Sequence, residues 1–284
     1  MKLVMYERDG MGRPGMIIGD FILDLQDAWP KKIGAFPKDL LYLLKEGAET
    51  MNILQDWVSQ MGDKENNRMP LSSSQLLPPI TQPGKLLCIG LNYEDHARET
   101  GKPIPKEPII FGKYSNALIG NEQPIRIPDV TRKVDYEAEL GVVIGRHTYR
   151  VGNSEALDYV FGYTCANDVT ARDKQPKEGQ WTYAKGFDTF CPLGPVIETE
   201  IGNPEALKVR GYLNDRLVQE APTSDHYFTV ADIIEYVAGC MTLLPGDVIM
   251  TGTPAGIGPL LPGDRFEVLI EGIGSLYNSV TKAE

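Results

Sequence analysis

Residues 134–144 read Val-Asp-Tyr-Glu-Ala-Glu-Leu-Gly-Val-Val-Ile, and no other stretch constrains the chain as tightly. Apolar side chains recur at every second position, at Tyr136, Ala138, Leu140, Val142 and Ile144, the period of a strand with one face turned to a core. Asp135, Glu137 and Glu139 then share the opposite face. Same-face neighbours on a strand lie about 6.7 Å apart at Cα, near enough for Glu137 and Glu139 to converge on one ion. Three acids do not suit a dry face by themselves, because like charges at that spacing repel and raise one another's pKa. Two arrangements answer this: a water-facing side of an antiparallel strand, or a site for a divalent cation.

The chain has 284 residues with a formal net charge of −11 and a pI near 4.9. That balance argues against a nucleic-acid partner and against anionic membrane surfaces, while leaving anionic small molecules open. Met1 to Leu25 lacks a basic segment followed by a long apolar run, so no signal peptide is expected, and no apolar run is long enough to span a bilayer. Cys88, Cys165, Cys191 and Cys240 are widely spaced without a Cys-x-x-Cys, which points away from zinc or disulfide frameworks and towards a reducing cytoplasm. Each cysteine sits among apolar residues and reads as a small core residue.

Short β-like runs alternate with turns over residues 1–25, and the spacing of Leu40, Leu41, Leu43, Leu44, Met51, Leu54, Trp57 and Val58 predicts one or two amphipathic helices over 38–61. A polar, Pro-rich passage from Asn66 to Gly84 marks the best domain boundary, giving a small α/β cap over 1–70 and a main domain over 71–284. From Pro108 onward the chain looks mainly β, without the alternation of a doubly wound sheet. An α+β, mainly β fold is therefore expected.

Several polar groups stand out. Asn92 is placed to cap a helix of about two turns that stops at Gly101 and carries His96 and Glu99 on one face; a surface histidine beside a surface glutamate explains the pair equally well. Asp168 follows a strand-like run, as a ligand group or a helix cap. Lys185 lies among aromatic and small residues, as a snorkelling stem or a desolvated cation. Thr251-Gly-Thr-Pro-Ala-Gly-Ile-Gly258 is Gly-rich but lacks the ending of a phosphate loop, and suits a ligand-facing turn or a plain one.

In order, Glu137-x-Glu139, Asn167-Asp-Val-Thr-Ala-Arg-Asp173, Lys185-Gly-Phe-Asp188 and Gly246-Asp-Val-Ile-Met-Thr-Gly-Thr-Pro-Ala-Gly-Ile-Gly258 resemble the fumarylacetoacetate hydrolase family over residues 84–280. Gly90-Leu-Asn-Tyr-x-x-His96-x-x-Glu99 is similar to its acylpyruvate hydrolase and oxaloacetate decarboxylase branch. The resemblance implies a mixed β-roll, a homodimer, and Glu137, Glu139 and Asp168 as ligands of Mg²⁺ or Mn²⁺, which an all-oxygen set selects over zinc. Asp135 lies outside the motif and is at most a support. The implied reaction is hydrolysis of a C–C bond in a 2,4-dioxo acid, with the metal as Lewis acid on the developing enolate, His96 as general base oriented by Glu99, and Lys185 stabilising the developing charge. Arg172, Thr253 and Gln219 are the implied substrate-binding residues, and Lys185 with Arg172 make the pocket fit for a dicarboxylate or a small 2-oxo acid. Oxaloacetate decarboxylation or tautomerisation, or isomerisation of an unsaturated 2-oxo acid, would use the same site. The chain departs from the family's pattern at Asp215, where a Gly is usual, and at His226, which reads as a surface loop residue.

Overall fold

The computed structural model describes residues 1–29, 34–61, 68–175 and 180–283; Asn66 and Asn67, at the head of the expected linker, lie outside the described residues. The strand expected over 134–144 forms in two pieces, Val134–Tyr136 and Ala138–Ile144, interrupted at Glu137. Ala138–Ile144 runs antiparallel between Val160–Asn167 and Val248–Met250 within a twelve-stranded sheet. It is buried along its whole length. Leu140, Val142 and Ile144 join one hydrophobic cluster and Val143 joins a second, as alternation across a sheet with two covered faces requires. Val134–Tyr136 instead belongs to a three-stranded sheet with Thr170–Ala171 and Gly258–Pro259. The chain therefore changes sheets at Glu137.

A five-stranded sheet closes the architecture, in the order Arg216–Pro222, Lys208–Leu213, Arg265–Ile270, Gly274–Lys282 and Ile125–Ile127. Phe266, Val268, Leu276 and Val280 from it pack into the cluster that holds Leu140 and Val142, and the Phe266 ring stacks on Tyr136 at 4.4 Å. Asn214 and Asp215, at φ of 50° and 66°, close the hairpin between Lys208–Leu213 and Arg216–Pro222, so Asp215 adopts the left-handed conformation for which glycine is the usual residue. The fold is α+β and mainly β, as expected.

The N-terminal strands Lys2–Arg8, Met11–Ile18 and Phe21–Asp24 extend the large sheet, Lys2–Arg8 pairing with Cys191–Glu198. Helices form at Leu40–Glu46 and Ala48–Met61, the first capped by the Asp39 carboxylate, which accepts from the Tyr42 N–H at 2.8 Å. Asp24 is fully buried and satisfied by Arg13, by the Tyr6 hydroxyl and by the N–H groups of Gln26 and Asp27. Burial alone would raise its pKa, but these donors outweigh it and hold Asp24 down at about 2; burial and the Asp24 charge push Tyr6 up to about 12.

Candidate active site

The break at Glu137 builds the site. The Glu137 N–H donates to Asn167 Oδ1 and its carbonyl accepts from the Asp168 N–H, both at 2.9 Å. Register places Ala138 opposite Asn167, which brings the next residue, Asp168, beside the two glutamates. Glu137, Glu139 and Asp168 are 4, 2 and 1 % exposed, and one oxygen from each lies within 4.8 Å of the others. The water-facing arrangement is therefore excluded.

Lys185 ends the single turn Thr182–Lys185 and sets Nζ at 2.7 Å from Glu137 Oε2 and 2.5 Å from Asp168 Oδ2. Arg172 reaches Glu137 Oε1 at 2.5 Å and Asp135 Oδ2 at 2.8 Å, so Asp135 supports the arginine. A third cation escaped the sequence reading. Lys113, at the end of strand Ile109–Lys113, has Nζ 2.7 Å from Asp168 Oδ1 and donates to the carbonyls of Val169 and Lys185. A strand-like run signals the element, but nothing local signals that its last lysine is buried.

Burial pushes the Glu137 carboxyl up, yet Lys185 and Arg172 overcome this and hold it far below the usual range. Glu139 goes the other way: burial, then the charges of Asp168 and Glu137, raise it well above its ordinary value. It has the Gly252 N–H as a donor at 2.8 Å and none of the three cations within ion-pair distance. Lys185 is held protonated, since Asp168 and Glu137 outweigh its own burial. Three convergent hard oxygens with one acid short of counter-charge fit a hard divalent cation.

The helix Glu94–Glu99 carries the base candidate over this cluster. Its end is as expected: Gly101 takes φ of +67°, its N–H donates to Arg98 O, and the Lys102 N–H donates to Ala97 O, a Schellman closure. Its start corrects the expectation. Tyr93 precedes the helix without a side-chain cap, and Asn92 instead donates to Phe228 O and Thr251 O and accepts from the Phe228 N–H. Those buried loop groups would otherwise lack partners. His96 is 5 % exposed, with Nδ1 3.5 Å from Glu99 Oε2, and Glu99 also accepts from the Gly256 N–H at 3.1 Å. The surface alternative for His96 is excluded. Burial lowers its pKa despite the nearby Glu137 charge, which keeps the imidazole neutral at pH 7.

The Gly-rich segment faces the site. Thr253 lines the cavity, but its hydroxyl donates to Ala138 O at 2.9 Å, so its proton is not free for a substrate oxygen. Gln219, expected at the substrate, lies behind the wall: it accepts from the Ala138 N–H and donates to Thr253 Oγ1 and Pro254 O, fixing strand to turn. His226 is also relocated. It is buried, edge-on to the Tyr93 ring at 4.8 Å, with Nε2 3.1 Å from Thr251 Oγ1, because a bridge to Tyr93 draws its loop under the helix. Cys88, Cys165 and Cys191 are buried, whereas Cys240, ending the helix Val230–Cys240, is exposed rather than in the core.

The three acids, His96, Glu99, Arg172, Lys185 and Thr253 line one cavity of about 340 Å³. No helix among the described residues is long and apolar enough to cross a membrane.

Residues 85–281 match the family described as fumarylacetoacetate (FAA) hydrolase C-terminal. A mitochondrial oxaloacetate tautomerase of Xenopus laevis is 38% identical over 292 residues, covering 99% of this chain and 90% of its own. The crystal structure of maleylpyruvate hydrolase from Sphingobium sp. SYK-6 in complex with manganese (II) ion and pyruvate is 30% identical with a TM-score of 0.82, over 100% of both chains. That of 5-carboxymethyl-2-hydroxymuconate delta-isomerase from Mycobacterium smegmatis is 35% identical with a TM-score of 0.79, again over 100% of both. The family match spans residues 85–281 and the likeness to these relatives runs end to end, so the chain belongs to the fumarylacetoacetate hydrolase family of enzymes.

Proposed function

We propose that the protein is a divalent-metal-dependent hydrolase that cleaves a C–C bond in 2,4-dioxo acids. The observation that carries this reading is a buried His96 beside Glu99, sharing one cavity with a buried carboxylate triad and Lys185. Glu137, Glu139 and Asp168 would hold Mg²⁺ or Mn²⁺, which when bound supplies Lewis acidity at the carboxylate and 2-oxo end of the substrate. The manganese seen in the Sphingobium relative supports a metal of this class. His96 takes a proton from water, and Glu99 stabilises the imidazolium that results. The hydroxyl adds to the distal carbonyl carbon, the C–C bond breaks, and its electron pair passes to the 2-oxo acid fragment, which regains a proton at carbon. Lys185 donates a charge-assisted hydrogen bond to the oxygen where negative charge develops.

A second reading is tautomerisation of oxaloacetate, favoured by the end-to-end likeness to the Xenopus laevis tautomerase. It needs His96 to move a proton between carbon and oxygen, with no attacking water. Steady-state assays with Mg²⁺ or Mn²⁺ on acetylpyruvate and oxaloacetate, each with an EDTA control, separate the two. Faster metal-dependent loss of acetylpyruvate supports hydrolysis, and faster oxaloacetate turnover supports the second reading. Full activity in the chelated sample sinks both.

A further inference from the structure

We infer that Lys102 is a specificity-determining residue, whose ammonium takes the far carboxylate of a substrate charged at both ends, a dicarboxylic 2-oxo acid. The inference rests on the proposed 2-oxo acid chemistry and adds what the outer part of the cavity selects.

Lys102 lines the same cavity as the triad and is half-buried, with Nζ 4.9 Å from the centroid of the Trp181 ring that walls it. Arg172 already pairs with Asp135 and Glu137, and Lys185 with Glu137 and Asp168, which leaves Lys185 one Nζ hydrogen for the reacting end of the substrate. Among the described residues no carboxylate lies within ion-pair distance of Lys102, although this chain carries 39 acids against 28 lysines and arginines. Lys133, exposed at the same cavity, likewise has no acidic partner among the described residues. Burial lowers the Lys102 pKa, and the Arg172 and Lys185 charges lower it further, the signature of an ammonium short of counter-charge. A cation–π contact with Trp181 holds the stem against the wall but leaves that charge uncompensated. A substrate anchored at the triad by its first carboxylate and bearing a second at the far end would supply it.

Position adds a consequence. The Lys102 backbone N–H closes the Schellman turn on Ala97 O, one residue from His96. A carboxylate held by Lys102 therefore also steadies the short helix that carries the base, so both binding and turnover respond.

The test uses Lys102→Met, which keeps the stem over Trp181 and removes the charge. Fumarylpyruvate and acetylpyruvate undergo the same hydrolysis; the first carries a second carboxylate at the end of a two-carbon vinylene extension that the second lacks. The variant is expected to lose about ten- to a hundred-fold in kcat/KM for fumarylpyruvate, the worth of a charge-assisted hydrogen bond, with acetylpyruvate within about two-fold of wild type. An unchanged ratio between the substrates, or equal loss of both, overturns the inference. Calorimetry on Mn²⁺-loaded protein provides an arm independent of turnover: Lys102→Met should weaken 2-oxoglutarate and leave 2-oxopentanoate, of equal length with a methyl end, unchanged. Equal effects on the two ligands overturn the inference; absence of turnover of any 2-oxo acid, with this calorimetric difference intact, overturns the proposed reaction instead.

Discussion

Replacing Gly252 with alanine tests whether the Gly-rich turn holds the metal triad. Gly252 sits at φ of +100°, and an added Cβ would lie 2.8 Å from Asn92 Cβ and 3.1 Å from Ile89 O. The conformation alone costs an L-residue about 1–2 kcal/mol. Asn92 cannot retreat, because it is tied to Phe228 and Thr251 by three hydrogen bonds. The turn must shift instead, at the expense of the 2.8 Å bond from the Gly252 N–H to Glu139, which leaves a buried acceptor short of its donor at about 1–3 kcal/mol. The expected loss in urea unfolding is about 2–5 kcal/mol. Because Glu139 has this one N–H to offset its burial, the variant should also bind Mn²⁺ about ten-fold or more weakly in calorimetry. Lower stability with wild-type Mn²⁺ affinity would refute the claim that this turn positions Glu139. Unchanged stability would refute the steric argument itself.

The acid limb of kcat/KM at saturating metal should fall below pH 6.5, because burial depresses the His96 pKa and the neutral form is the base; a midpoint above 6.5 would remove His96 from that role. Gln219→Leu leaves the Ala138 N–H without its acceptor and removes two donors to the turn, so an unfolding loss of about 2–4 kcal/mol is expected. A higher KM at unchanged stability would restore Gln219 to the substrate. Asp24 has a depressed folded-state pKa, so its contribution is present above the unfolded value of 3.8 and lost as pH falls towards about 2. The stability difference between wild type and Asp24→Asn should thus shrink by about 2 kcal/mol between pH 5 and pH 2, and a constant difference would count against the Asp24–Arg13 network.

What the sequence made legible was set by local periodicity and spacing. The two-residue alternation around Leu140 and Val142 identified the central strand, and the Gly101 stop signal identified the end of the helix that carries His96. Strand geometry put Glu137 and Glu139 on one face, and the resemblance to the family added Asp168 to them. The rest depended on contacts between distant segments. Asn92 looked like a cap because capping is a local property, whereas its real partners at Thr251 and Phe228 lie more than a hundred residues away. Lys113 and His226 carry no local mark of burial, and Gln219 was placed at the substrate by the family resemblance, which does not tell the front of a wall from its back. The break at Glu137 was equally hidden, since both flanking pieces keep the same alternation.

That break has a bearing on how the protein survives as well as on how it works. With Glu137 at the junction of two sheets, Glu139 on the larger one and Asp168 in the link between Val160–Asn167 and Thr170–Ala171, an ion shared by the three would act as a rivet across a seam. Without it, Lys113, Lys185 and Arg172 offset Glu137 and Asp168, while Glu139 is left with the Gly252 N–H alone. Occupancy adds to folding stability by mass action, about 2.7 kcal/mol at a hundred times the dissociation constant. Amide exchange along the seam, at Glu137, Ala138 and Asp168, should slow on loading in step with the rise in melting temperature. Metal supply would then govern the lifetime of the folded chain through the same three side chains that govern its turnover.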